Sequence, residues 1–275
     1  MPFALPRFLL HAMLACGLCL GLIATGNAKP FDHEYANWQT LLKKHVHWLP
    51  GNVQSRVDYA AIKQEHTQLK HVLLELSTVP EAEFAQWTPD QQTAFLINAY
   101  NAFTIELVLS QYPDLKSIKE LGSVFSSPWR KEFFRLLGDQ RSLDWVEHSN
   151  LRPNAHDPRI HFAIVCASIG CPALRNEAFT ASKLDLQLED SIRRFMSDKS
   201  RNRVLNGKLE VSPIFKWFAS DFEKGKRGFR GPLDVFARYA TQLSDDAGVQ
   251  QSLRNMTLSP GYTDYDWNLN DTATR

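Results

Sequence analysis

The stretch TPDQQTAFLINAYNAFTIELVLSQ, residues 88–111, decides the fold. Thr88 stands as an N-cap, Pro89 takes the first helical position, and Gln91 follows three residues after the threonine, together a capping box with the favoured proline. The spacing predicts a helix from Pro89 to about Gln111. Phe95, Leu96, Ile97, Phe103, Ile105, Leu107, Val108 and Leu109 cover every face of it, so the helix is expected to be central and buried. Asn98 and Asn101 interrupt that apolar surface three residues apart, hence on one face. Buried amides need hydrogen-bond partners. The pair either ties the helix to a neighbouring loop backbone or lies beside the segment at His161, orienting it or donating to a substrate carbonyl.

Outward from this helix, apolar residues at three and four spacing predict packing helices over Asp32–Trp48 and Val57–Leu76. His45 and His47 fall on the first of these and read as solvated. From Trp129 to Leu143 the pattern turns to strands around Gly138-Asp139, after which Ser142 can cap a short helix carrying Glu147 and His148. The apolar run FAIV, Phe162–Val165, reads as a short buried strand, and Thr180 as the cap of a helix through Met196. Val204-Leu205 and Lys208-Leu209 flank Asn206-Gly207, a strong hairpin signal. Helices follow at Ile214–Glu223 and Pro232–Leu243, and the tail YDWNLN reads as a strand returning to the sheet. With no repeat, low-complexity block or long linker, the expectation is an α+β class: one helix-rich domain over residues 29–275 with a small, mostly antiparallel sheet.

Residues 1–28 have an early charge at Arg7, an apolar run from Phe8 to Ile23 and small residues Gly26 and Ala28, the signature of a secretory signal peptide cleaved before Lys29. A lipoprotein alternative would acylate Cys16 or Cys19, but Met13, Leu14 and Ala15 make a mediocre lipobox. The expected location is periplasmic or secreted, with no integral membrane segment after cleavage. A formal charge of +1 with acids and bases interspersed gives no basic field for nucleic acid or anionic membrane, so the expected partner is a small molecule or peptide. Only Cys166 and Cys171 of the four cysteines then remain, which excludes a disulfide-built scaffold but permits one bridge.

Those two cysteines lie in DPRIHFAIVCASIGCPAL, residues 157–174, where an Arg, a His and a Ser also occur in what should be a plain core strand. This is the predicted site. The motifs FLINAYNAFTIELVL, then SLDWVEH with Leu151-Arg152, then DPRIHFAIVCASIGCPAL and the tail YDWNLN together resemble the bacterial and plant family catalogued as domain of unknown function 547, from about Gln91 to Met196. The resemblance implies that these motifs belong together. It brings no activity or catalytic assignment with it.

A thiol enzyme would need a base within about 3 Å of the nucleophile and a group orienting that base. His161 or His148 as the base, with Asn98 or Glu147 behind it, fits those roles. On a straight strand His161 and Cys166 would lie on opposite faces and about 16 Å apart, which favours Cys171, after the Gly170 loop and before Pro172, over Cys166. His161, alternating with Ala163 and Val165, is expected to be buried at the mouth of a cleft and bonded to Glu147 or Asn98. The chain order, with a helix bearing Asn98 and Asn101 and later a strand starting at His161, is similar to that of papain-like and transglutaminase-like enzymes. In those, however, the nucleophilic cysteine starts the helix, and here the helix has none.

Asp157 and Arg159 could clamp a substrate carboxylate, or form an internal ion pair. Ser168 is a further candidate contact to substrate. Glu147, His148, His161 and a cysteine are ligand types that zinc accepts, but no tight ligand spacing such as H-x3-H is present, so neither metal nor cofactor is assigned. Two functions stand. One is an exported hydrolase or transferase acting on peptide-like amides through His161 and a cysteine; the other is a non-catalytic periplasmic binding or scaffolding domain with a Cys166/Cys171 disulfide.

Overall fold

Pro89–Leu109 is a single helix closed at its start as the sequence requires: Thr88 Oγ1 accepts from Gln91 N at 3.3 Å and Gln91 Oε1 accepts from Thr88 N at 2.9 Å. It is buried nearly all round, with Phe95, Ile97 and Val108 wholly inaccessible. The helix His66–Ser77 and the turn Trp145–Leu151 pack against it. The computed structural model describes Met1 and residues 30–123, 126–155 and 157–274, and Phe31–Arg275 cluster as one compact unit. Apart from Met1, the expected signal segment lies outside the described residues. Among the described residues no helix is long and apolar enough to cross a membrane.

The class is α+β, with many helices and small sheets of two or three strands. Among the described residues three of the four strand pairings are antiparallel. Val46–Trp48 pairs with Ser55–Val57, Phe134–Leu136 with Asp139–Arg141, and Arg203–Leu205 with Lys208–Val211; the last strand also takes Pro260–Tyr262 in parallel. Asn206 and Gly207 both have positive φ, 51° and 74°, as a two-residue hairpin of this kind needs. In the hairpin between Phe134–Leu136 and Asp139–Arg141 the corresponding pair is Leu137 and Gly138, one residue earlier than the turn read from sequence.

Several sequence-based boundaries move. The first helix covers only Ala36–His45, because Val46–Trp48 turns extended to pair across the Gly51 loop. Val57 likewise ends a strand; Asp58 then caps Tyr59–Gln64 by accepting from Ala61 N at 2.9 Å, and a second helix runs His66–Ser77. The helix Ala247–Arg254 had no clear signal in the sequence. The tail forms no full strand: it meets Val57 of the strand Ser55–Val57 and Ser168 only through isolated bridges at Asp271 and Leu269. It also runs beside the cysteine loop, Ile169 N donating to Asn268 O at 2.8 Å, Gly170 N to Asp266 O at 2.8 Å and Asn270 N to Ala167 O at 3.0 Å.

The most consequential correction concerns Phe162–Val165, which is not a strand. Pro158–Phe162 is a 3-10 turn with Asp157 capping it, its carboxylate accepting from Arg159 N at 3.0 Å. The Asp-Pro pair is a helix-start signal, and the apolar run that follows records burial rather than sheet pairing. Asn101 does what a neighbouring strand would have done: Nδ2 donates to Ala163 O and Oδ1 accepts from Val165 N, each at 2.9 Å. Asn98 makes the same paired contact with Phe179, 2.7 Å from Nδ2 to its carbonyl and 3.0 Å from its N–H to Oδ1.

Candidate active site

The turn at Pro158–Phe162 and the clamp at Asn101 deliver His161 and Cys166 to one cleft of about 250 Å³. A straight strand would have held them apart; the turn shortens and rotates the path between them. The short helix Trp145–Leu151 is wound as a π-helix and starts where Ser142 Oγ accepts from Trp145 N at 3.1 Å. It brings Glu147 and His148 to the same cleft, which Cys171 and Pro172 also line. Six aromatic rings, Tyr100, Trp129, Trp217, Phe218, Tyr265 and Trp267, form most of the remaining wall. Among the described residues no lysine or arginine lines it.

His161 is 3 % exposed and stacks on Phe218 with ring centroids 3.9 Å apart. Its Nε2 lies 2.8 Å from Asp221 Oδ2, and its Nδ1 is buried without a hydrogen-bond partner among the described residues. The partner is therefore Asp221, neither Glu147 nor Asn98. Burial lowers the His161 pKa, and Asp221 offsets part of that. Burial works against ionising Asp221 as well, but hydrogen bonds from His161, from Arg152 Nε at 2.6 Å and from Lys224 Nζ at 2.7 Å outweigh it and hold the carboxyl well below the usual range. An ionised carboxylate can only accept, so Nε2 carries the imidazole hydrogen and Nδ1 the free lone pair.

Glu147 is buried, and that burial pushes its carboxyl up to about 7; Arg152 and a hydrogen bond with Tyr100 pull the other way, while Asp144 adds to the rise. His148 accepts from Arg152 Nη1 at 2.9 Å through Nδ1 and sits 3.7 Å from Asp144; burial lowers its pKa. Cys166 and Cys171 are joined as a disulfide. Around the bridge, Ser168 Oγ is 2.9 Å from Cys166 Sγ, Tyr265 OH is 3.1 Å from Cys171 Sγ and 3.3 Å from Cys166 Sγ, and Cys166 N donates to Cys171 Sγ at 2.9 Å.

Other residues predicted for the site serve elsewhere. Arg159 is saturated by Asp157 at 2.7 Å, Asp185 at 2.6 Å and Glu189 at 3.3 Å, which makes an internal ion-pair cluster and leaves no free fork for a substrate carboxylate. Asn98 and Asn101 spend their amides on backbone and do not line the cleft. His45 is buried against Glu65 at 3.2 Å, not solvated; His47 is exposed on a strand. Among the described residues no cluster of three or more His, Cys, Asp or Glu could hold a metal ion. Asp221, Trp217 and Phe218 were missed because nothing in KWFASDFEK announces a partner sixty residues earlier. Tyr265 and Trp267 sat in a quoted motif, read as strand rather than as cleft wall.

Fold and cleft together describe a helix-rich α+β domain with a histidine–aspartate pair and a disulfide facing an aromatic cavity. Residues 84–196 match the model of the family described as "Protein of unknown function, DUF547", so the resemblance carried by the motifs holds over that stretch. No curated protein and no solved structure matches the chain. The likeness to papain-like enzymes rests on chain order alone, since the segment after His161 forms no strand.

Proposed function

We propose that the cleft is a hydrolase or transferase site for peptide-like amides, in which Cys171, once reduced, attacks the carbonyl and His161 carries the proton. The observation that supports this is the state of one imidazole. Asp221 fixes Nε2 as the donor, which leaves Nδ1 as an unpartnered base in a residue that lines the same cavity as both sulfurs. Glu147, protonated up to about 7, can give a proton to the leaving amine near neutral pH. Aromatic walls without lysine or arginine suit an uncharged peptide-like group better than a polyanion.

The test uses protein reduced with a phosphine and 4-nitrophenyl acetate as the acyl probe. Reduced wild type should release one equivalent of nitrophenol in a burst, Cys171→Ser none, and His161→Gln should be slower by about a hundredfold. Equal rates in all three folded proteins would overturn the reading.

The joined cysteines favour a second reading, a binding or scaffolding domain whose bridge is structural. Reduced protein that loses its fold and gains no reactivity would select it. Either function is proposed to operate in the periplasm or outside the cell, on the strength of the signal-like residues 1–28. An intact mass starting at Lys29 for exported protein supports this; acylation at Cys16 replaces it with a lipid-anchored form, and a chain that keeps its first 28 residues overturns it.

A further inference from the structure

We propose that the Cys166–Cys171 bridge is a thiol–disulfide exchange centre, and that its co-reactant is a small thiol entering the aromatic cleft. This does not depend on the acyl-transfer reading, because it concerns the bridge itself and requires no carbonyl substrate.

The bridge is placed for access, since both cysteines line the cleft. The two ends also differ. Cys166 is partly exposed, whereas Cys171 is 5 % exposed, so an incoming thiolate meets the Cys166 sulfur first. Cys171 Sγ in turn faces the donors that a departing thiolate needs: the N–H of Cys166 at 2.9 Å and the hydroxyl of Tyr265 at 3.1 Å. Hydrogen bonds to an ionised sulfur favour the thiolate, and a leaving thiol of lower pKa departs faster. Ser168 Oγ, 2.9 Å from Cys166 Sγ, provides the same service at the other end.

Gly170 is part of this arrangement. A Cβ there would come within 2.8 Å of the Tyr265 ring, so the absence of a side chain lets the ring lie against the loop with its hydroxyl on the sulfurs.

As a staple the bridge is redundant. It closes a very short loop, which constrains the unfolded chain little, and that loop is already held from other directions. The tail bonds it at Ala167, Ile169 and Gly170; Arg201, itself paired with Asp198 at 2.7 Å, donates to the carbonyls of Gly170 and Cys171; Asn101 fixes the chain just before it. The loop can keep its shape with the bridge open.

The exchange balances as follows. A thiolate RS⁻ attacks Cys166 Sγ, forming RS–S(Cys166) as the Cys166–Cys171 bond breaks and Cys171 leaves as a thiolate. A second RS⁻ attacks the R sulfur of the mixed disulfide, giving RSSR and the Cys166 thiolate. Two thiols are oxidised to one disulfide, the bridge gains the two electrons, and the two thiol protons pass through His161 or water to the two cysteine thiolates.

The experiment incubates the whole oxidised protein with glutathione under native conditions, then acid-quenches, alkylates and weighs it. The bridge should open while circular dichroism stays native, and Cys171→Ser incubated with oxidised glutathione should take one glutathionyl group onto Cys166 as reduced glutathione leaves, and keep it. In Cys166→Ser, the alkylation midpoint of Cys171 should fall about one pH unit or more below the ordinary thiol value near 8.5, and Tyr265→Phe, which keeps the ring, should move it back up. Ser168→Ala should slow reoxidation by oxidised glutathione. A bridge that glutathione opens only when urea unfolds the protein, or a Cys171 thiol with an ordinary midpoint unaffected by Tyr265→Phe, overturns the proposal. Neither result bears on the nitrophenyl ester burst, which is measured on protein already reduced by the phosphine.

Discussion

His161 Nε2 and Asp221 Oδ2 meet at 2.8 Å across sixty residues of chain, while the far nitrogen of the same ring has no hydrogen-bond partner among the described residues. One carboxylate thereby sets the tautomer, orients the ring and gathers Arg152 and Lys224 around the back of the site. The pair contributes to stability through both of its members, and the two contributions separate with pH.

Asp221→Asn removes the charge that three cationic or polar partners share, and should cost about 3 kcal/mol in urea unfolding near neutral pH. The folded carboxyl is held below its ordinary value, so its contribution is complete above about pH 4 and is lost as the pH falls below that. Wild type and variant should therefore converge in strong acid. His161 has the complementary signature. Its folded pKa is lowered, so the neutral ring stabilises fully above about pH 6.5 and the benefit fades as the pH falls through that value. Urea midpoints across the acid range should be flatter in His161→Gln around and below pH 6.5.

Glu147→Gln should behave in the opposite sense. The folded carboxyl titrates near 7, above its ordinary value, so wild type is destabilised progressively as the pH rises from about 4 to 7 and uniformly beyond. The amide should be more stable than wild type by roughly 3 kcal/mol at mildly alkaline pH and level with it in acid. Thermal unfolding at both ends of that range checks the sign.

Asn101→Leu fits the apolar surroundings of the central helix but strips partners from Ala163 O and Val165 N. Leaving two buried backbone groups unpaired should cost about 3 kcal/mol. Hydrogen exchange at the Val165 amide should accelerate more than at amides within Pro89–Leu109, because the damage is local to the segment that carries Cys166.

Gly170→Ala places a methyl against the Tyr265 ring, and the ring must move. The expected loss is about 1–3 kcal/mol, the usual range for an overpacked site. Tyr265 fluorescence and near-ultraviolet circular dichroism should change.

The sequence by itself determined the elements whose signals are local. The capping box at Thr88, the all-round apolar helix after it and the Asn206-Gly207 hairpin each follow from a few neighbouring residues, because capping, periodicity and turn chemistry act within one or two turns of chain. It also singled out Asp157–Leu174 as a candidate site, since polar and sulfur-bearing groups inside an apolar run call for partners. Tertiary structure alone decided what those partners were. Phe162–Val165 has the composition of a strand, but whether a buried run pairs with a strand or with the amide of Asn101 depends on which surface arrives beside it. Asp221 reaches His161, and Tyr265 the sulfurs, only when segments far apart in sequence pack together. The charge state of Glu147 is likewise a product of its burial, which no stretch of sequence around it encodes.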